Sequence, residues 1–152
     1  MKRIEPFAPR RGTPLPTAFD LLAIDPGEHT GWAAFDTTLI ACGLGDPPVS
    51  KARCLVIELP QVYPSHPVPP NDLVTLAFLA GRYVGAREAF AVFPRQWKGN
   101  LPKGACAARV RAKLSPEERA VVDECACKVP EKQMHNVMDA VGIGLFAEGR
   151  VF

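Results

Sequence analysis

Phe19-Asp-Leu-Leu-Ala-Ile-Asp25-Pro26-Gly27 is the stretch on which the fold turns. An apolar run closed by an acid and then by Pro-Gly describes a short buried strand ending in a tight turn. Working outward, His29-Thr-Gly-Trp-Ala-Ala-Phe35 and Thr38-Leu-Ile-Ala-Cys-Gly-Leu44 predict two more strands. The short breaks at Pro26–Gly27 and Asp36–Thr37 make the three an antiparallel meander. Arg53-Cys-Leu-Val-Ile-Glu-Leu59 predicts a fourth strand, apolar except for Glu58 near its end. Pro60, Pro64, Pro67, Pro69 and Pro70 forbid regular structure after it. Asn71 or Asp72 then caps a helix whose apolar positions, Leu73, Leu76, Ala77, Ala80 and Val84, recur every third or fourth residue, leaving Arg82 and Arg87 outside. Phe90-Ala-Val-Phe93 reads as a fifth strand and 94–113 as a basic loop leading into a helix. Ser115-Pro-Glu-Glu118 is a helix start, with Ser as N-cap, Pro at the first position and acids in the first turn. Pro130 separates that helix from a last one over about 131–148. This order specifies an α/β fold with a mixed sheet.

The 152 residues, 47% of them hydrophobic, are enough for one domain with one core. We place that domain at 18–152, after a Pro-rich arm over 1–17 carrying Lys2, Arg3, Arg10 and Arg11. Lys and Arg total 18 against 16 Asp and Glu, a net charge of +2, which excludes a strongly basic tail protein and a disordered acidic one. No apolar run approaches the roughly 18–20 residues that span a bilayer, and the first residues lack the apolar segment of a signal peptide. No membrane partner is therefore expected. The five cysteines contain no Cys-x-x-Cys pair, so a zinc site is not expected. Reduced thiols in a cytoplasmic protein are the expectation.

Three acids sit in apolar settings. Asp25 ends Leu-Leu-Ala-Ile-Asp, Glu58 lies in Leu-Val-Ile-Glu-Leu, and Asp139 lies in Val-Met-Asp-Ala-Val-Gly-Ile-Gly-Leu-Phe. An ionised carboxylate in such surroundings is costly unless paired or bound to a cation. Each acid alone is an ordinary strand-end or helix-face charge. Together, two strand ends and a packed helix can converge on one point, where carboxylates hold either protons or metal. Oxygen-only ligands favour Mg²⁺ or Mn²⁺, and two such ions can clamp a scissile phosphate. The chemistry this points to is metal-dependent phosphodiester hydrolysis. Asn136 and His135 precede Asp139 by three and four residues and share its helix face, where either can act as a further ligand or position water.

These segments carry a resemblance. Ile24-Asp-Pro-Gly-x-x-x-Gly-Trp-Ala33, Val56-Ile-Glu-x-Pro60 and His135-Asn-Val-Met-Asp-Ala-Val-Gly-Ile-Gly-Leu145, in this order, resemble the RuvC-type Holliday junction resolvases of the RNase H-like superfamily. The likeness runs over about 19–147 and is greatest to their short phage-encoded relatives. It implies an RNase H-like five-stranded mixed sheet, three antiparallel strands plus two parallel, flanked by helices. It also implies a homodimer that binds branched, four-way DNA and nicks two strands symmetrically with Mg²⁺. Asp25, Glu58 and Asp139 match the family's first-strand, fourth-strand and last-helix acids. Two features depart from the pattern. Asn136, with His135 beside it, stands where the family usually has an acid or His. The 45–52 link is too short for the helix often found there and must cross the sheet almost fully extended.

From Ala89 to Pro116 there is no acid, and Arg95, Lys98, Lys103, Arg109, Arg111 and Lys113 form a local basic patch. Arg95, Lys98 and Lys103 are expected to contact DNA phosphates and Trp97 to stack on a base, unless Trp97 plugs the core instead. A similar Trp-Lys-Gly element occurs in the phage resolvase-like proteins. Asp-x-Gly-x-x-Thr at 25–30 also resembles the phosphate loop of sugar kinases and actin-like ATPases, which need a second domain that 152 residues do not provide. The competing readings are an RNase H-like nuclease acting on RNA–DNA hybrids, damaged DNA or replication forks, and a DNA-binding module without catalysis.

Overall fold

The apolar runs fold as β1 (Phe19–Asp25), β2 (Gly31–Asp36) and β3 (Thr38–Leu44) of an antiparallel meander, with Asp25 opposite Gly31 and Gly31 opposite Leu44. The computed structural model describes residues 16, 18–62, 68–85 and 88–150; nearly all of the arm over 1–17 lies outside them, as do Arg87 and the side chain of Lys103. β4 (Ala52–Glu58) runs parallel to β1 on its other side, and β5 (Glu88–Val92) runs parallel to β4. The order β3-β2-β1-β4-β5 is the five-stranded mixed sheet expected from the sequence, with three antiparallel strands and two parallel.

Alternation along the strands divides the apolar residues between two faces. Leu21, Ala23, Ala33, Phe35, Val56 and Val92 pack under α3 (Lys103–Ala112), α4 (Pro116–Ala126) and α5 (Met134–Ala147). α5 is buried along most of its length, as a helix apolar on nearly every side must be. Leu22, Ile24, Ala34, Leu55 and Ile57 form the second face, which α1 (Pro70–Val84) covers through Ala80, Tyr83 and Val84.

Four local expectations are corrected. His29 belongs to the turn and not to β2: the Thr30 hydroxyl donates to the Gly27 carbonyl at 3.0 Å, and the strand begins at Gly31. There the carbonyl of Asn136 fills the space a side chain would need, so only glycine lets α5 pack so close. β5 begins at Glu88 rather than Phe90 and stops at Val92. The basic segment is not one loop. Pro94 opens a single turn, α2 (Pro94–Trp97), and Gly99, at a φ of 58° that favours glycine, ends it before α3. The link from β3 to β4 is not fully extended. It contains a 3-10 turn over Val49–Lys51, and Val49 packs on the second face, which fixes the route of the crossing.

Candidate active site

Ile24 pairs with Ile57 across β1 and β4, which leaves Asp25 and Glu58 side by side at the ends of two parallel strands. Leu21 and Ala23, and likewise Val56, face the α5 layer. The same alternation carries Asp25 and Glu58 to that layer. The carboxyl ends of parallel strands are where ligand sites form in such sheets. Asp139 arrives from α5, whose flank packs on β1 and β2.

The three acids act on one another. Asp25 has its carboxyl pushed well above the usual range, first by burial and then by repulsion from Glu58 and Asp139, with Lys98 pulling the other way. Glu58 is also raised, mainly by burial; Lys98 and a hydrogen bond from Trp97 offset part of this. Lys98 places its ammonium 3.1 Å from Asp139 Oδ2 and 3.8 Å from Glu58 Oε2. Burial works against its charge, but the attraction of Glu58 and Asp139 outweighs that and holds its pKa above the ordinary value. One cation thus faces three carboxylates.

Trp97 is the residue whose expected role changes most. It is 3% exposed, so it does not stack on a base. Its indole N–H donates to Glu58 Oε2 at 2.6 Å, and its ring lies against Gly142 of α5, where a Cβ would collide with it. The ammonium of Lys98 lies 4.8 Å from the ring centroid, within cation–π range. Trp97 therefore orients Glu58 and supports Lys98. The sequence signal for this was Gly142 itself, since a glycine inside a helix costs about 1 kcal/mol relative to alanine and implies a close neighbour. Lys98, expected on the surface, turns inward; Arg95 and Arg109 remain exposed, and Arg111 pairs with Asp123 at 2.7 Å.

Asn136 and His135 do not join the Lys98 cluster. With Asp25, the 26–29 turn and Lys132–Gln133, they line an adjoining cleft of about 420 Å³. His29 and Gln133 meet across it at 3.2 Å, and His135 Nδ1 lies 3.0 Å from the Lys132 carbonyl.

Sequence reasoning also missed Glu118. It is 2% exposed and accepts from the backbone N–H groups of Leu39 and Ser115 at 2.9 and 2.8 Å. Arg150 grips it with two nitrogens, at 2.6 and 2.8 Å. Burial alone would raise this carboxyl, but these donors hold it below the ordinary range. Its place near the far end of the meander, at Leu39, marks it as structural.

Fold and centre together define an α/β protein with an under-neutralised acidic cluster at the carboxyl ends of its parallel strands. No protein-family model matches the chain, and no curated protein matches it in sequence. In shape it is similar to the crystal structure of the fowlpox virus Holliday junction resolvase, with a TM-score of 0.52 over 86% of this chain and 97% of that one, at 13% identity. At that identity the likeness is one of fold.

Proposed function

We propose that the protein is a metal-dependent endonuclease of RuvC-like type that cuts branched DNA, four-way junctions foremost. The observation that carries this is that Asp25, Glu58 and Asp139, from three separate elements, come within electrostatic reach of one another, with the Lys98 ammonium on Glu58 and Asp139. The resolvase-like fold supports the choice of substrate.

Mg²⁺ or Mn²⁺ suits the donor set. The donors are all carboxylate oxygens, burial and repulsion from neighbouring acids disfavour the charges of Asp25 and Glu58, and Glu58 and Asp139 already hold a cationic nitrogen. Among the described residues no three His, Cys, Asp or Glu side chains stand in ligating positions. When bound, the ion would supply positive charge at the scissile phosphate and ease the formation of a nucleophile from water. Asp25, Glu58 and Asp139 would hold it, and Trp97 keeps Glu58 turned inward. Asn136 and His135, beside Asp25 in the cleft, position water or add a ligand. Arg95, Lys103 and Arg109 neutralise backbone phosphates.

We assign a homodimer, matching the two-fold character of a junction. Val74 and Phe78, one turn apart on α1 and each 69% exposed, form an apolar stripe suited to a self-complementary contact. Phe78→Glu is expected to give monomers in sedimentation and to abolish paired nicking. No helix among the described residues is long and apolar enough to cross a membrane. The reading places the protein in the cytoplasm of a bacterial or phage-infected cell.

The deciding experiment incubates the protein with Mg²⁺ and a synthetic four-way junction, an RNA–DNA hybrid or plain duplex. Symmetric nicks on opposing strands of the junction, lost in EDTA, are expected. Preference for the hybrid would reassign the substrate. Junction binding without cleavage would leave a binding module.

A further inference from the structure

Lys98 sits among the acids that the metal-site reading assigns to an ion. Its ammonium lies within 4 Å of oxygens from both Glu58 and Asp139, and its side chain is only 23% exposed. Its backbone is fixed at the end of α2, between the buried Trp97 and the left-handed Gly99. A flexible four-carbon stem with a point charge can vacate such a position, unlike a fixed backbone donor. A divalent ion bound to the same oxygens would repel the ammonium strongly at that range.

We propose that Lys98 is an exchangeable internal counter-cation, which holds Glu58 and Asp139 together in the metal-free protein and is displaced when a divalent ion binds. This inference rests on the metal-site reading above and adds to it. Metal affinity is then set by competition with a side chain of the protein itself, and loading exposes a positive charge at the edge of the centre. The role differs from the surface phosphate contact expected from the sequence.

The test titrates Mn²⁺ calorimetrically into the wild-type protein, Lys98→Met and Asp139→Asn, all without DNA. Removing the competing charge should tighten binding by at least about tenfold in Lys98→Met, whereas Asp139→Asn should bind little or none. Binding by Lys98→Met that equals or falls below measurable wild-type binding overturns the exchange and leaves the metal site standing. Absence of Mn²⁺ binding by both wild type and Lys98→Met overturns the metal reading and the exchange with it. A second measurement does not depend on the folding of the methionine variant. The ammonium resonance of Lys98 is followed by ¹H–¹⁵N NMR as Mg²⁺ is added to the wild-type protein, and is assigned by its loss in Lys98→Arg. It should change in step with saturation; a resonance unmoved at saturation overturns the proposal.

Discussion

The protein buries carboxylates in two places and treats them in opposite ways. At Glu118 one carboxylate meets a guanidinium and two backbone N–H groups. In the other place Glu58 and Asp139 share one ammonium, Glu58 also accepts an indole N–H, and Asp25 lies within their electrostatic reach. The first arrangement satisfies its charge and fastens α4, the β3 edge and the chain near Arg150 to one another. The second leaves one ammonium among three acids, which disfavours the charge of Asp25 in the free protein and is the ground for the proposed cation site. The same fold fully neutralises one acid and leaves the other three short, and the proposed metal site rests on that contrast.

The largest expected effect separates the two roles of Asp25. Asp25→Asn should reduce junction cleavage by more than about a thousandfold, through loss of a ligand to the reacting ion, with junction binding retained in a gel-shift assay. In EDTA the same change should stabilise the protein. The Asp25 carboxyl has a folded pKa above its ordinary 3.8, so its stabilising contribution is present below that value and is lost as pH rises through the folded value. At pH 7–8 the variant should therefore be more stable than the wild type in urea denaturation. A loss of stability there would erase the contrast with Glu118.

Glu118→Gln should behave in the opposite way, losing about 2–4 kcal/mol at neutral pH because Arg150 is left without its charge partner. The Glu118 carboxyl is depressed below its ordinary 4.5, so its contribution is present above that value and disappears as pH falls through the folded one. Wild type and variant should converge in acid, as followed by denaturation at a series of pH values.

Trp97→Phe tests the link between the acidic centre and its support. It removes the donor to Glu58 and keeps most of the packing against Gly142. Activity should fall about ten- to a hundredfold, with Mn²⁺ affinity falling alongside and thermal stability nearly unchanged. Unaltered metal affinity would reduce Trp97 to a filler of space.

The difference between the two regions also explains what the sequence revealed. Asp25, Glu58 and Asp139 were legible because each interrupts an apolar run, and an unexplained charge in such a run needs a reason. The sheet was legible because its strands are short, apolar and punctuated by turns. Glu118 was hidden because Ser115-Pro-Glu-Glu118 is already complete as a helix start, and its true partner lies 32 residues away. Lys98 reads outward, and Trp97 reads as either a base-stacking residue or a core plug, because basic and aromatic residues in a segment without acids look like a nucleic-acid surface. The acids that draw them inward lie 41 and 39 positions distant, beyond any local pattern.

Gly142 gives one helix a hold on two acids. α5 carries Asp139 directly and, less than one turn later, seats the indole that steers Glu58. A slide of α5 would therefore carry Asp139 with it and, through the indole packed at Gly142, disturb Glu58 at the end of β4. Gly144, two positions on, seats Phe35 of β2 in the same way, so a lone methyl group added there would transmit its displacement to an acidic cluster it never touches.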